Sequence, residues 1–312
     1  MINIKHILSV TPKYFINLKK NKNFKKVINY SGFEKVHILK DFSTSKLVNF
    51  TIKKFFVKTK VLPSKIDSII YCSHSREYEM PIFSASIQKK FGFKKSILCY
   101  DLPNSCSGFT NSLLHSYSLI KSGLVKNTLI ICADTHSKIA KSKNLRPIIG
   151  DACACFLVEK NSKNPFHFDF GTDGNENNAL RISNNKSQKN LYMDGLKVLE
   201  FAITNVPKSV SRVIKKSKIK ASKIDYFSFH QPNKSMHDHI LRKIGVDMKK
   251  VVSTFKYGNT SAPSIPLSLS EKFKNKKLNN KIFLFCGFGA GFQWSTILTK
   301  LNKSFIHKIY YL

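Results

Sequence analysis

Asp101-Leu-Pro-Asn-Ser-Cys-Ser-Gly-Phe-Thr110 places a cysteine between two different hydrophobic rhythms. Residues 96–101 before it carry the β-branched, aliphatic and aromatic side chains of a buried strand. After it, Phe109, Leu113, Leu114, Tyr117 and Ile120 recur at three- to four-residue steps, which predicts a buried helix over 109–122 ended by Gly123. A thiol at such a junction lies beside backbone N–H groups and the positive end of the helix dipole, an environment that favours thiolate over thiol. Cys106 is therefore a candidate nucleophile, and Ser107 and Gly108 are small enough for an acyl group to approach the turn. Taken alone, a cysteine at a strand end is more often inert core packing.

The alternation of strand and helix continues on both sides. Strands are expected at 68–72, 96–101, 128–133 and 152–158, and a polar stretch at 159–165 reads as a linker. Beyond it come a strand at 167–170, the turn Asp173-Gly174 and a long helix over 195–216 with Leu196, Leu199, Ile203, Val206 and Val210 on one face. Strands at 226–230, 282–285 and 293–298 and helices at 234–244 and 266–274 complete the second half. Two successive α/β halves, 1–160 and 161–312, suggest a duplicated architecture without a visible residue-level repeat.

Bulk properties narrow the classes further. The chain has 312 residues, 42% of them hydrophobic, enough to bury a sizeable core and too many for a disordered chain. Its 53 Lys and Arg against 18 Asp and Glu give a formal charge of +35, which would attract any polyanion. The lysines are spread along the whole chain without a zinc-finger, RNP or basic-zipper pattern, so biased coding composition explains them better than a nucleic-acid role. Seven cysteines, an odd number without a CxxC pair, read as reduced thiols and not as a disulfide framework or a metal site. No apolar run approaches the roughly 20 residues needed to span a bilayer, and a cytoplasmic location is expected.

Three further segments carry chemistry. Phe227-Ser-Phe-His-Gln-Pro-Asn233 delivers His230 to the end of an apolar strand, where α/β sheets bind ligands. Lys256-Tyr-Gly-Asn-Thr-Ser-Ala262 sets Asn259 in a small-residue loop whose amide can donate to developing negative charge. Phe285-Cys-Gly-Phe-Gly-Ala-Gly-Phe292 lets backbone approach a substrate, and its spacing matches neither GxGxxG opening a helix nor a Walker loop. Singly, these read as a hydrogen-bonded core histidine, an ordinary Asn turn and a phosphate-binding glycine loop, the last excluded by its spacing. His237 and His239 are two apart on a helix, so they point in different directions and do not share a metal easily.

In this order and spacing the segments resemble the 3-oxoacyl-[acyl carrier protein] synthase III family of the thiolase superfamily. Ser-Cys-Ser-Gly-Phe-Thr, His-Gln-Pro-Asn and Gly-Asn-Thr-Ser-Ala-Pro-Ser each match a family motif, supported by Lys121-Ser-Gly123, Gly150-Asp-Ala152, Asp173-Gly174 and Tyr192-Met-Asp-Gly195. The resemblance implies a duplicated five-layer α/β/α/β/α thiolase fold and a homodimer. It implies that an acyl group is loaded as a thioester on Cys106, with backbone N–H groups of Cys106 and Ala290 as the oxyanion hole. His230 and Asn259 would stabilise the enolate formed when a malonyl thioester loses carbon dioxide, for decarboxylative Claisen condensation. Met193, Gly195, Pro232, Asn233 and Phe292 would contact substrate, and Cys286 would be packing. Acyl carrier protein is the implied partner, with acyl and malonyl thioesters of coenzyme A or phosphopantetheine as substrates and no permanently bound cofactor or metal. Arg146 is a candidate phosphate contact, and Lys197 and Lys234 candidate carrier contacts. A specialised acyltransferase of secondary-metabolite or surface-glycan biosynthesis is the alternative within the class. Outside it stands an inactive thiolase-fold partner subunit.

Overall fold

A computed structural model describes residues 1–161, 163–185 and 188–312. Part of the expected linker, at residue 162, lies outside the described residues. The expected elements form within a few residues of the expected bounds, and the two sheets stack with a layer of helices between them.

The larger sheet has eight strands, and along its length the order is Lys276–Leu278, Ser304–Ile306, Ile2–Thr11, Ala152–Lys160, Asn127–Asp134, Ser68–Cys72, Leu98–Leu102, with Tyr310–Tyr311 also paired to Ile2–Thr11. The last three strands of the path run parallel to one another, as βαβ connections require. The smaller sheet runs Tyr226–Phe229, Lys281–Gly289, Gln293–Leu301, Phe166–Thr172. The larger sheet thus takes strands from both sides of residue 160.

Helices Gly108–Lys121 and Ser264–Phe273 fill the space between the sheets. Phe109, Leu113, Ile265 and Leu269 share one core with Ile70, Ile130 and Phe156 of the larger sheet and Phe283, Phe285 and Ile297 of the smaller. A second core lies under helices Thr44–Thr59 and Phe83–Lys90 on the outer face of the larger sheet. A third lies under Gly195–Ser217 and Lys234–Ile244 on the outer face of the smaller. The result is five layers. Helix Gly195–Ser217 tolerates Pro207 in its interior, and Asp194 caps it by accepting from the N–H groups of Leu196 and Lys197.

Several elements were not expected from the sequence. Strand Ile2–Thr11 has Lys5 and His6 in mid-run, and the register shifts there between Ile4 and His6, so its apolar pattern is broken at the bulge. A hairpin, Leu180–Asn185 with Gln188–Met193, stands apart as its own two-stranded sheet.

Candidate active site

Cys106 occupies the turn between strand Leu98–Leu102 and the buried helix Gly108–Lys121. Across from it runs the glycine loop, and the approach is close: a Cβ on Gly289 would stand 2.7 Å from the Cys106 Cβ. Only glycine fits there. Asn259 lies in the loop before helix Ser264–Phe273 and is clamped by its own backbone, its N–H donating to the Ile148 carbonyl (2.7 Å) and its carbonyl accepting from Gly150 N–H (2.9 Å). Gly150 is required for that clamp, because a Cβ on it would meet the Tyr257 carbonyl at 2.1 Å.

Cys106, Asn259 and Ala290 line one cavity of about 210 Å3. Leu191, Met193 and Asn259 also line a neighbouring cavity of about 1020 Å3, to which Tyr30, Gly195, Pro232 and Asn233 contribute. Together the two make a route from the surface to the thiol. Phe292 is buried elsewhere, stacked on Phe201 at 4.3 Å between centroids in the core under the long helix.

Ser261, which sequence reasoning passed over, touches all three candidate catalytic residues. The Cys106 Sγ points at its Oγ (3.7 Å), its N–H donates to Asn259 Oδ1 (3.0 Å), and its main chain hydrogen-bonds to His230. It adopts φ 61°, a left-handed conformation unusual for serine and found where surrounding structure enforces it. The only sequence signal was its place two residues after Asn259 in the Gly-Asn-Thr-Ser-Ala run. Because Asn259 Oδ1 accepts from Ser261, the amide nitrogen is the group left to donate to a substrate carbonyl. His230 is buried, its Nδ1 2.8 Å from Ser264 Oγ and its ring edge-on to Phe288. It joins the cluster through Ser261 and Ser264, and is not itself among the side chains lining the smaller cavity.

The electrostatics reverse one expectation. Burial pushes the Cys106 thiol up to about 12, helped by the negative charge of Asp134 and only partly opposed by Ser261. Loss of water outweighs the opposing hydrogen bond from Ser261, a direction that favours the neutral thiol at rest. Burial likewise lowers His230 to about 3, with His237 adding to the effect and the Ser261 main chain opposing it. Cysteine, imidazole and amide are all uncharged at neutral pH.

The remaining candidates sit as follows. Lys197 pairs with Glu176 at 2.7 Å and Lys234 with Asp238, while Arg146 is exposed. Cys286 is buried, accepting from Thr296 Oγ1 at 3.3 Å. His237 is buried and His239 exposed. Among the described residues no helix is long and apolar enough to cross a membrane.

The fold is that of the thiolase-like α/β enzymes. The profile described as 3-oxoacyl-[acyl-carrier-protein (ACP)] synthase III matches residues 100–174, and that of its C-terminal part matches residues 214–301. The beta-ketoacyl-[acyl-carrier-protein] synthase III of Lactococcus lactis subsp. lactis (strain IL1403) is 31% identical over 294 residues, covering 88% of this chain and 90% of that one. The crystal structure of a 3-oxoacyl-(acyl-carrier protein) synthase from Burkholderia xenovorans LB400 superposes with a TM-score of 0.92 over 100% of this chain and 97% of that one, at 24% identity. A priming beta-ketosynthase from the R1128 polyketide biosynthetic pathway superposes at 0.89 over 97% of each chain, at 19% identity. The chain belongs to the beta-ketoacyl-[acyl-carrier-protein] synthase III family, and it is a condensing enzyme of that kind.

Proposed function

We propose that this protein takes an acyl group from a pantetheine thioester onto Cys106 and joins it to a malonyl unit carried by acyl carrier protein. The observation that carries the reading is the shared cavity: Cys106, Asn259 and the Ala290 backbone face one small space that continues into a second, larger one. That pair of volumes suits an acyl group at the thiol and a pantetheine arm behind it.

In the first step the Cys106 sulfur bonds to the thioester carbonyl carbon, the substrate's C–S bond breaks, and the thiol proton leaves with the departing thiol. Keeping Cys106 neutral until a thioester arrives limits side reactions of a free thiolate. In the second, malonyl loses carbon dioxide, and the resulting enolate oxygen is held by the uncharged Asn259 amide, which His230 supports from behind through Ser261 and Ser264, in a site with little water. The enolate carbon then bonds to the acyl carbon, and the sulfur departs and is reprotonated. Ser261 is a positioning residue for all three groups.

The net charge of +35 suits an acidic carrier protein, although Lys197 and Lys234 are each tied to an acidic neighbour. The large sheet ends at strand Leu98–Leu102, where Tyr100 is exposed, and Met80 is 87% exposed, features that favour a twofold pairing of copies along that edge. A second reading, transfer of the loaded acyl group to an amine or alcohol in a specialised pathway, is favoured by the two imidazoles, His74 and His136, that line the cavity beside Cys106.

Intact-mass spectrometry tests both. Incubation with acyl thioesters is expected to add one acyl mass, lost in Cys106→Ala, and malonyl-carrier is expected to discharge it as a 3-oxoacyl product. Discharge by amines or alcohols alone favours the second reading. Absence of any adduct across donors contradicts the enzyme reading and favours a scaffold.

A further inference from the structure

Asp151 is fully buried, and its carboxylate accepts from Leu39 N–H (2.7 Å), Ser137 N–H (3.0 Å) and Ser137 Oγ (2.5 Å). Burial pushes this carboxyl up to about 6, opposed by the Ser137 hydroxyl, by the two backbone N–H groups and by nearby His136. Because that value lies above the ordinary 3.8, the stability the group contributes is present below pH 3.8 and lost as pH rises through about 6. At neutral pH the ionised form therefore costs stability, and stability does not account for a carboxylate at this place. Hydrogen-bond geometry does: an ionised carboxylate accepts at both oxygens and brings no proton of its own, which suits three donors converging on one dry point.

The segments that meet at Asp151 are the ones on which Asn259 rests. Asp151 N–H donates to the His37 carbonyl (2.8 Å), and His37 N–H donates to the Tyr257 carbonyl (3.2 Å). One residue earlier, Gly150 N–H donates to the Asn259 carbonyl (2.9 Å), while Asn259 N–H donates to the Ile148 carbonyl (2.7 Å). Residues 257–259 are thus held between segments 37–39 and 148–151, and the Asp151 carboxylate ties those two together through Leu39. Its bonds to Ser137 fix the turn that follows His136, a residue of the small cavity's wall. In that turn the Ile139 carbonyl accepts from Leu191 N–H (3.0 Å), and Leu191, like Asn259, lines both cavities. No hydrogen bond of this circuit reaches the Cys106 turn or the glycine loop.

We infer that Asp151 is a positioning residue for the second step: by joining segments 37–39, 136–140 and 148–151 at one point, it fixes where Asn259 presents its amide relative to Cys106. This rests on the reading of Cys106 as the acylated residue and Asn259 as the enolate donor, and deepens it by naming what holds that donor in place. Asp151 itself touches no substrate.

The test compares two half-reactions in single turnover, acylation of Cys106 by an acyl thioester and discharge of the adduct by malonyl-carrier, both followed by intact mass. In Asp151→Asn an N–H replaces one acceptor and is turned against a donor. Discharge is expected to slow about ten- to a hundredfold, the scale of a displacement of about 1 Å, while loading changes by less than about threefold. Ser137→Ala removes a single bond and is expected to slow discharge in the same direction by a smaller factor. The ratio of two steps on one preparation is unaffected by a uniform loss of folded protein. Asp169→Asn, which breaks the pair joining strand Phe166–Thr172 to Arg212 of helix Gly195–Ser217, is expected to lower stability and leave the ratio unchanged.

Equal slowing of both steps in Asp151→Asn overturns the inference, as does an unchanged discharge rate or the same shift of ratio in Asp169→Asn. Should Asp151→Asn not fold, discharge by Ser137→Ala at the unaltered rate overturns it. Absence of an adduct on the unaltered protein instead overturns the Cys106 reading, and this inference with it.

Discussion

In the first half, strand Leu98–Leu102 hands the chain to the buried helix Gly108–Lys121 through Cys106; in the second, the chain enters the matching buried helix Ser264–Phe273 past Asn259. The halves otherwise share one order of elements, from the first strands Ile2–Thr11 and Phe166–Thr172 to the closing strands Ala152–Lys160 and Gln293–Leu301. They differ at the third strand. The first half builds five paired residues there, whereas the second makes a single bridge between Phe227 and Val251. The residues released from pairing become the loop that carries Asn259 and Ser261 and clamps onto Ile148 and Gly150. On the proposed reading the covalent carrier sits on a rigid strand-to-helix turn, and the neutral groups of the second step come from a loop and a strand end in the other half.

The largest expected effect breaks the first half's contribution. Cys106→Ala should lower overall turnover by about 10^4-fold or more, because loading and condensation both need the thiol. Asn259→Ala and His230→Ala should lower condensation by roughly 10^2- to 10^3-fold while loading falls far less, since they act on charge that develops in the second step. Measuring the two half-reactions separately checks this; equal losses in both would erase the distinction between the halves. Gly289→Val should slow loading about tenfold or more and destabilise by about 1–3 kcal/mol, because its side chain must displace Cys106. Chemical denaturation and loading rates together read that effect.

Smaller effects follow from the uncharged resting site. With Cys106 pushed up to about 12 by burial, its alkylation by iodoacetamide should still be rising with pH at 9, and a plateau below 8 would show a stabilised thiolate. His230, lowered by burial from 6.5 to about 3, contributes stability that is present above pH 6.5 and lost as pH falls toward 3. His6 and His307, each lowered to about 4 chiefly by burial, act in the same window. His230→Asn should therefore flatten part of the stability slope between pH 6.5 and 3, measured by denaturant midpoints at several pH values. An unchanged slope would place the acid sensitivity in other histidines lowered by burial, His6, His307, His37 and His74 among them.

The comparison of halves also explains what was legible in sequence. Helix Gly108–Lys121 follows directly from the spacing of Phe109, Leu113 and Ile120, and the nucleophile turn stands out because its flanks are regular. Strand Ile2–Thr11 is hidden by its bulge, and the strands Lys276–Leu278 and Ser304–Ile306 are three residues each, too short for a period to register. Helix Phe83–Lys90 has no side-chain cap to mark its start. His74 and His136 were missed because neither lies in a motif: His74 stands two residues past strand Ser68–Cys72 and His136 two residues past Asn127–Asp134, with nothing in their flanks to mark them. The ionisation of Cys106 was misjudged because a sequence shows the helix start and hides the depth of burial.

Division of labour between the halves is most directly tested by loading Asn259→Ala and His230→Ala proteins with an acyl thioester and following the Cys106 adduct by intact mass after malonyl-carrier is added. The adduct is expected to form at close to the unaltered rate and then to persist long after the unaltered enzyme has discharged its own. An adduct that never forms in these variants, or that disappears as fast as in the unaltered protein, would contradict the account.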